Sequence, residues 1–258
     1  MKKIVAVILS FSALHANAIT NIESQRLAPL DQGLSGHVEL TIDGKSGNSE
    51  EEDYGLSARV NHLNESDLFF VIASKEYGTS NDTKDTDNNF VHGRWVHDLG
   101  DRWATEAFVQ YQDDEFTRLL SRYLAGGGAR WEAINIPNLK QLTFGAGAFY
   151  VTEKQDFSTY EDEQDYLRIN SYASYKHQLN DNVSVSCTAY YQPRASKLSD
   201  YNLLVNAAMS AKLSEQLKLR LAFKVTHDSE PPKNLDSNPP IDIESTDTEY
   251  AASFIYEF

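Results

Sequence analysis

The segment Thr248-Glu249-Tyr250-Ala251-Ala252-Ser253-Phe254-Ile255-Tyr256-Glu257-Phe258 decides the reading of this chain. Tyr250, Phe254, Tyr256 and Phe258 share one register, with Ala252 between them. Ala251, Ser253 and Glu257 share the other. Period-two alternation of this kind marks a strand with one apolar and one polar face. The last residue is itself aromatic.

The same pattern recurs through the chain from about Leu34. Val38, Leu40 and Ile42 alternate with His37, Glu39 and Thr41; Leu56, Ala58 and Val60 with Ser57, Arg59 and Asn61. Trp103, Thr105, Ala107, Val109 and Tyr111 share a face, as do Leu142, Phe144, Ala146, Ala148 and Tyr150. Leu119, Ser121, Tyr123, Ala125, Ala129 and Trp131 lie opposite Arg118, Arg122, Arg130 and Glu132. Later runs follow at Leu167–Lys176, Val183–Gln192, Tyr201–Ala211 and Leu217–Thr226. Leu68–Tyr77 shows no single register. About twelve strands result, each near or above the roughly nine to eleven residues that cross a bilayer on a tilt.

The connections alternate in kind. Short turns fall near residues 63–66, 98–101, 133–138, 178–182 and 213–216. Long polar loops, mostly acidic, fall between them, including 78–88, 153–165 and 228–247. An even strand number with short turns at one rim and long loops at the other predicts an all-β fold, a transmembrane antiparallel up-and-down barrel over 34–258. The strands of a β-sandwich average only about five or six residues. The terminal strand resembles the closing strand of a bacterial outer-membrane barrel, and that resemblance implies the barrel-assembly machinery as a partner reading Phe258.

Residues 1–18 read as an export signal: Lys2 and Lys3, an apolar run Ile4–Leu14, and Ala16-Asn17-Ala18 before the expected cut. Residues 19–33 read as a short periplasmic lead-in. The one cysteine, Cys187, allows no internal disulfide. With 23 Lys+Arg against 38 Asp+Glu the chain is strongly acidic, which argues against nucleic-acid binding. All three tryptophans, Trp95, Trp103 and Trp131, lie beside short turns. Tyr54, Tyr111, Tyr150, Tyr191 and Tyr201 lie beside long loops. Two aromatic belts at the two membrane interfaces explain that split.

Gly36-His37-Val38-Glu39-Leu40 through Ser46-Gly47-Asn48-Ser49-Glu50, the block Tyr123-Leu124-Ala125-Gly126-Gly127-Gly128-Ala129-Arg130-Trp131 and the Phe258 end together resemble an uncharacterised family. It is the "salt-induced outer membrane protein" (YdiY-like) domain-of-unknown-function family. The resemblance implies an outer-membrane barrel in a Gram-negative cell, and no catalytic residues.

The inward register collects Glu39, Arg59, Glu106, Arg122, Arg130, Glu132, Arg168, Lys176, Lys218, Arg220 and Lys224. These side chains either line a water-filled pore for anionic or polar solutes or pair across the lumen and plug it. Gly126 and Gly128, with Gly147 and Gly145 opposite, either clear space for a solute or permit tight wall curvature. The acidic loops either form a solvated rim or bind divalent cations that bridge to lipopolysaccharide. Asp113-Asp114 and His227-Asp228 are the candidates for a rim hydrolase.

The preferred expectation is a monomeric, non-enzymatic diffusion channel in the outer membrane for small polar solutes or ions, tied to salt or osmotic adaptation. It needs no cofactor and no metal. The alternative is a closed barrel whose acidic loops meet lipopolysaccharide or cations. A rim hydrolase is third. Outer-membrane lipids and lipopolysaccharide are the other expected partners.

Overall fold

The computed structural model of the chain describes residues 32–45, 51–81, 83–116, 119–156, 160–231 and 245–258. The export signal expected at 1–18 lies outside these residues, as does the lead-in up to residue 31. Among the described residues there are twelve strands: β1 (Gly33–Lys45), β2 (Glu51–Leu63), β3 (Asp67–Ser80), β4 (Thr83–Gly100), β5 (Trp103–Asp114) and β6 (Leu119–Ile136), then β7 (Lys140–Asp156), β8 (Glu161–Gln178), β9 (Val183–Arg194), β10 (Lys197–Lys212), β11 (Leu217–Asp228) and β12 (Thr246–Glu257). Each pairs antiparallel with its sequence neighbours, and β12 pairs with β1 to close the barrel.

Closure rests on the chain's last residues. His37 lies opposite Glu257 and Leu40 opposite Phe254. The Phe258 amide donates to Gly36 O at 3.0 Å and the Gly36 amide to Phe258 O at 3.1 Å. A Cβ at Gly36 would meet the Phe258 ring at 2.7 Å, so glycine there lets the terminal ring lie against the seam. A closed sheet leaves no row of unpaired backbone groups, and in hydrocarbon each such group costs several kcal/mol.

The outer register is apolar and exposed: Leu56, Val71, Leu167, Leu221 and Phe254, with Val109 at 61 %. A water-soluble protein would bury these side chains; lipid accepts them. At the short-turn rim the girdle runs Phe69–Trp95 and Trp103–Trp131–Phe144, with ring centroids 6.1 to 6.4 Å apart. At the other rim Tyr111 meets Tyr123 at 5.0 Å, Tyr191 meets Tyr201 at 5.4 Å and Phe223 meets Tyr250 at 5.3 Å. Eight positions separate Trp103 from Tyr111 and Trp131 from Tyr123. At about 3.3 Å per residue and a tilt of about 40°, the belts lie about 20 Å apart, close to the height of an outer-membrane apolar band.

The structure differs from the sequence reading in four places. First, Leu68, Phe70 and Ile72 point inward and Phe69 and Val71 outward. Both registers there are apolar, so alternation alone could not orient β3. Second, Leu119 is buried and Leu120 exposed, because bulges at Gln112/Asp114 and Leu119/Ser121 reverse the register at the start of β6. Third, Gly128 pairs with Gly147, Gly126 with Phe149 and Gly145 with Arg130. The turn at 137–139 sits one residue further on than the sequence suggested, and the ladder shifts by two. Fourth, much of 78–88, 153–165 and 193–200 is ladder rather than loop: β3 and β4 continue to Ser80 and Thr83, β7 and β8 to Asp156 and Glu161, β9 and β10 to Arg194 and Lys197. Polar alternation carries no apolar signal, so strands that rise beyond the lipid look like loops in sequence.

The apolar core lies inside the barrel. Leu68, Phe70, Ile72, Phe90 and Val96 form one cluster, Phe108, Phe149 and Val151 a second, and Tyr172, Tyr190 and Leu204 a third.

Candidate functional site

The inward register is a layered lumen. Its middle is a belt of charge packed among the apolar clusters. Arg94 Nη1 lies 3.2 Å from Glu106 Oε2, with both side chains buried. Tyr172 reaches from β8 to place its hydroxyl 3.3 Å from both Glu106 oxygens. The Tyr172 ring crosses Gly145, where any Cβ would collide with it. Cβ atoms at Gly126, Gly128 and Gly147 would meet the backbone of the adjoining strand. The glycines therefore give strand approach and a bed for one ring, and Tyr172 occupies the space they clear.

Around the belt, Arg59 donates to Asn61 at 2.5 Å and stacks over Phe70 at 3.9 Å. His92 lies 3.1 Å from Gln110, between the rings of Phe90 and Phe108. Arg220 lies 3.5 Å from Glu39, which also accepts from Ser253. Arg130 is buried beside the belt. Toward the long-loop rim, Arg122 pairs with Glu153 at 2.6 Å, and Tyr166 donates to the same carboxylate at 2.9 Å. Arg168 pairs with Asp200 at 2.8 Å, which Arg194 approaches at 3.4 Å. Lys224 pairs with Glu249 at 3.0 Å.

Space lies on both sides of the belt. A vestibule of about 1040 Å³ opens at the short-turn rim, lined by Leu68, Val96, Arg130, Glu132, Lys176, Ser184, Ser210, Lys218 and Glu257 among others. Lys218 pairs with Glu257 there at 2.5 Å, and Glu132 accepts from Asn135 at 2.6 Å. Beyond the belt, Ala251 is exposed although it shares the inner register of buried Ser253 and Ile255, and Ala222 lies opposite it. Small side chains thus leave room along β11 and β12.

All eleven inward charged residues of the sequence reading face this lumen: Arg59, Glu106, Arg130, Glu39 and Arg220 in or beside the belt; Arg122, Arg168 and Lys224 beyond it; Glu132, Lys176 and Lys218 at the vestibule. The sequence reading missed Arg94, His37 and Tyr172. The signal for Arg94 was ambiguous, because Phe90, His92, Arg94 and Val96 alternate with Val91, Gly93 and Trp95, and both sets contain apolar residues.

The rim-hydrolase candidates do not come together. β5 and β11 are six strands apart in a ring of twelve, so Asp113 and His227 stand on opposite walls. Asp113 accepts from Asn89 at 2.7 Å, and His227 bonds Thr246 at 2.8 Å. Four acids of the outer extensions are tied to lysines: Asp87 to Lys75 and Lys84, Glu115 to Lys84 at 2.6 Å, Glu161 to Lys154, and Glu230 to Lys197 at 2.5 Å. The hydrogen bonds from Lys75 and Lys84 hold the Asp87 carboxyl below its ordinary range. Among the described residues no group of three or more His, Cys, Asp or Glu is placed to hold a metal ion.

A closed even-stranded antiparallel barrel, apolar and girdled outside, charged within, with short turns at one rim, is an outer-membrane β-barrel. The chain belongs to the DUF481 family, proteins of unknown function, whose family model matches residues 38–258. No curated protein matches the sequence. Among solved structures it is similar to the NanC porin, at 11 % identity and a TM-score of 0.52, over 88 % of this chain and 100 % of that one. It is similar to an outer membrane channel from Pseudomonas putida F1, at 10 % and 0.54, over 93 % and 100 %. It is also similar to the translocator domain of the autotransporter NalP from Neisseria meningitidis, at 14 % and 0.53, over 91 % and 92 %. At such identities the likeness is one of fold.

Proposed function

We propose that this protein is a passive, narrow channel of the outer membrane for small polar solutes or ions, working as a monomer in osmotic adaptation. The observation that carries this reading is a vestibule of about 1040 Å³ on one side of a charged belt, with the inward-facing Ala251 exposed on the other. At Arg220 and Glu39 the division between the two spaces includes an ion pair at 3.5 Å, long for a charge-assisted contact. A barrier that includes charged side chains admits hydrated ions where a purely apolar one repels them. The porin and channel folds it resembles agree with this reading.

The test is single-channel recording in planar bilayers. Steady small steps are expected, with ion selectivity shifting toward cations in Arg220→Glu and Arg122→Glu. Silence over repeated insertions of folded protein overturns the channel. That outcome favours a closed barrel, whose supporting observation is the near-complete burial of Ile72, Leu204 and Ile255 within the lumen. In either case the girdles meet outer-membrane lipids, the rim strands meet lipopolysaccharide, and Phe258 addresses the chain to the barrel-assembly machinery.

A further inference from the structure

We propose that the route through the lumen crosses the belt along the barrel's closing strands, β11, β12, β1 and β2, and that the Arg220 side chain, held by Glu39, is the gate that sets its width. The proposal rests on the channel reading and names where that channel runs and what narrows it.

The other walls are filled. The buried members of the three apolar clusters come from β3 and β4, from β5 and β7, and from β8, β9 and β10. Among the described residues the four closing strands contribute one buried apolar side chain, Ile255. Their other inward residues at and beyond the belt include Thr41 on β1, Gly55 and Ser57 on β2, Ala222 on β11, and Ala251 and Ser253 on β12, all small. Along β3, by contrast, Leu68 lines the vestibule, and Phe70 and Ile72 beyond it are 2 % and 0 % exposed.

The barrier is thinnest on β11, where successive inward residues lie about 7 Å apart. Lys218 lines the vestibule, Arg220 follows, and Ala222 comes next, opposite the exposed Ala251. One side chain therefore separates the two spaces on this strand. That side chain is weakly tied. Its ion pair with Glu39 is 3.5 Å long, and its Nε has no hydrogen-bond partner among the described residues. Arg122 meets Glu153 at 2.6 Å and Arg168 meets Asp200 at 2.8 Å, the ordinary range for such contacts. Glu39 is fixed on its other side by Ser253, which lies opposite Arg220 in the ladder. Swinging the guanidinium away from Glu39 joins the vestibule to the space at Ala251 and unpacks none of the three apolar clusters.

The experiment is single-channel recording in planar bilayers from the folded full mature protein and its variants. Arg220→Ala should raise conductance about twofold or more, and Ala222→Trp, which fills the space beyond the gate, should lower it by about half or more. Phe149→Leu, in the filled part of the lumen, should leave it unchanged. In a Cys187→Ser background, Ala251→Cys should be blocked by a trimethylammonium methanethiosulfonate reagent. Should Arg220→Ala fail to fold, the Ala222→Trp and Ala251→Cys arms carry the test. Steady conduction that ignores Arg220→Ala, Ala222→Trp and the thiol reagent overturns the route and leaves the channel standing. A silent parent beside a conducting Arg220→Ala sinks the passive channel and keeps the gate. Silence in both sinks the gate as well.

Discussion

Replacing Glu106 with alanine tests whether the belt is a packed seal. The substitution removes the carboxylate that Arg94 meets at 3.2 Å and that the Tyr172 hydroxyl meets at 3.3 Å. Taking one partner from a buried ion pair costs about 3–5 kcal/mol when the remaining charge cannot relax. Arg94 retains compensation here: its guanidinium lies 5.2 Å from the Phe108 ring and 5.9 Å from the Phe70 ring, and its Nε meets His92 at 3.3 Å. The weakened Tyr172 contact adds back about 1 kcal/mol. A net loss of about 2–4 kcal/mol is expected. Urea unfolding in detergent, followed by tryptophan fluorescence, reads it as a lower midpoint at constant slope. Pairing the change with Arg94→Met should restore most of the loss, because a buried ion pair is replaceable by apolar packing. A Glu106→Ala protein within about 0.5 kcal/mol of the parent would refute the packed belt, since that is the range of ordinary surface changes.

Two further outcomes test the wall and the outer hairpin. Gly145→Ala, whose new methyl meets the Tyr172 ring, should cost about 1–3 kcal/mol. Gly93→Ala, with Val109 Cγ2 at 3.7 Å, should fall within about 0.5 kcal/mol; the opposite order would show that Tyr172 does not need its glycine bed. The depressed Asp87 pKa sets a direction for pH. A carboxyl whose folded value lies below its unfolded value contributes its stabilisation fully above the unfolded value, about 3.9, and loses it as pH falls through the folded one. The protection factors of the β3–β4 tip amides, taken relative to their intrinsic exchange rates at each pH, should therefore fall on acidification below about pH 4 in the parent and stay flat in Asp87→Asn.

The barrel was legible in sequence because lipid imposes a strict rule: every second side chain of a crossing strand must be apolar. Val183, Val185 and Cys187 against Ser184, Ser186 and Thr188 obey it so cleanly that strand, face and register follow together. The tryptophan and tyrosine rims were legible for the same reason. The rule weakens wherever the inner face is also apolar, as at Leu68–Ile72 and Phe90–Val96. Those are the strands whose inward residues fill the lumen, so the sequence was least readable where the lumen is most closed. Arg94 was hidden for that reason, and with it the partner of Glu106.

What the chain determines by local pattern alone is an alternating, closing sheet with a wet inside, an oily outside and an aromatic end. Which inward groups meet, and whether glycines hold a solute or a tyrosine, were decided only by the rolled structure. Tyr172 reaches Glu106 across three strand intervals. Such pairings depend on the stagger and curvature of a closed sheet, and no period along a single strand carries that information.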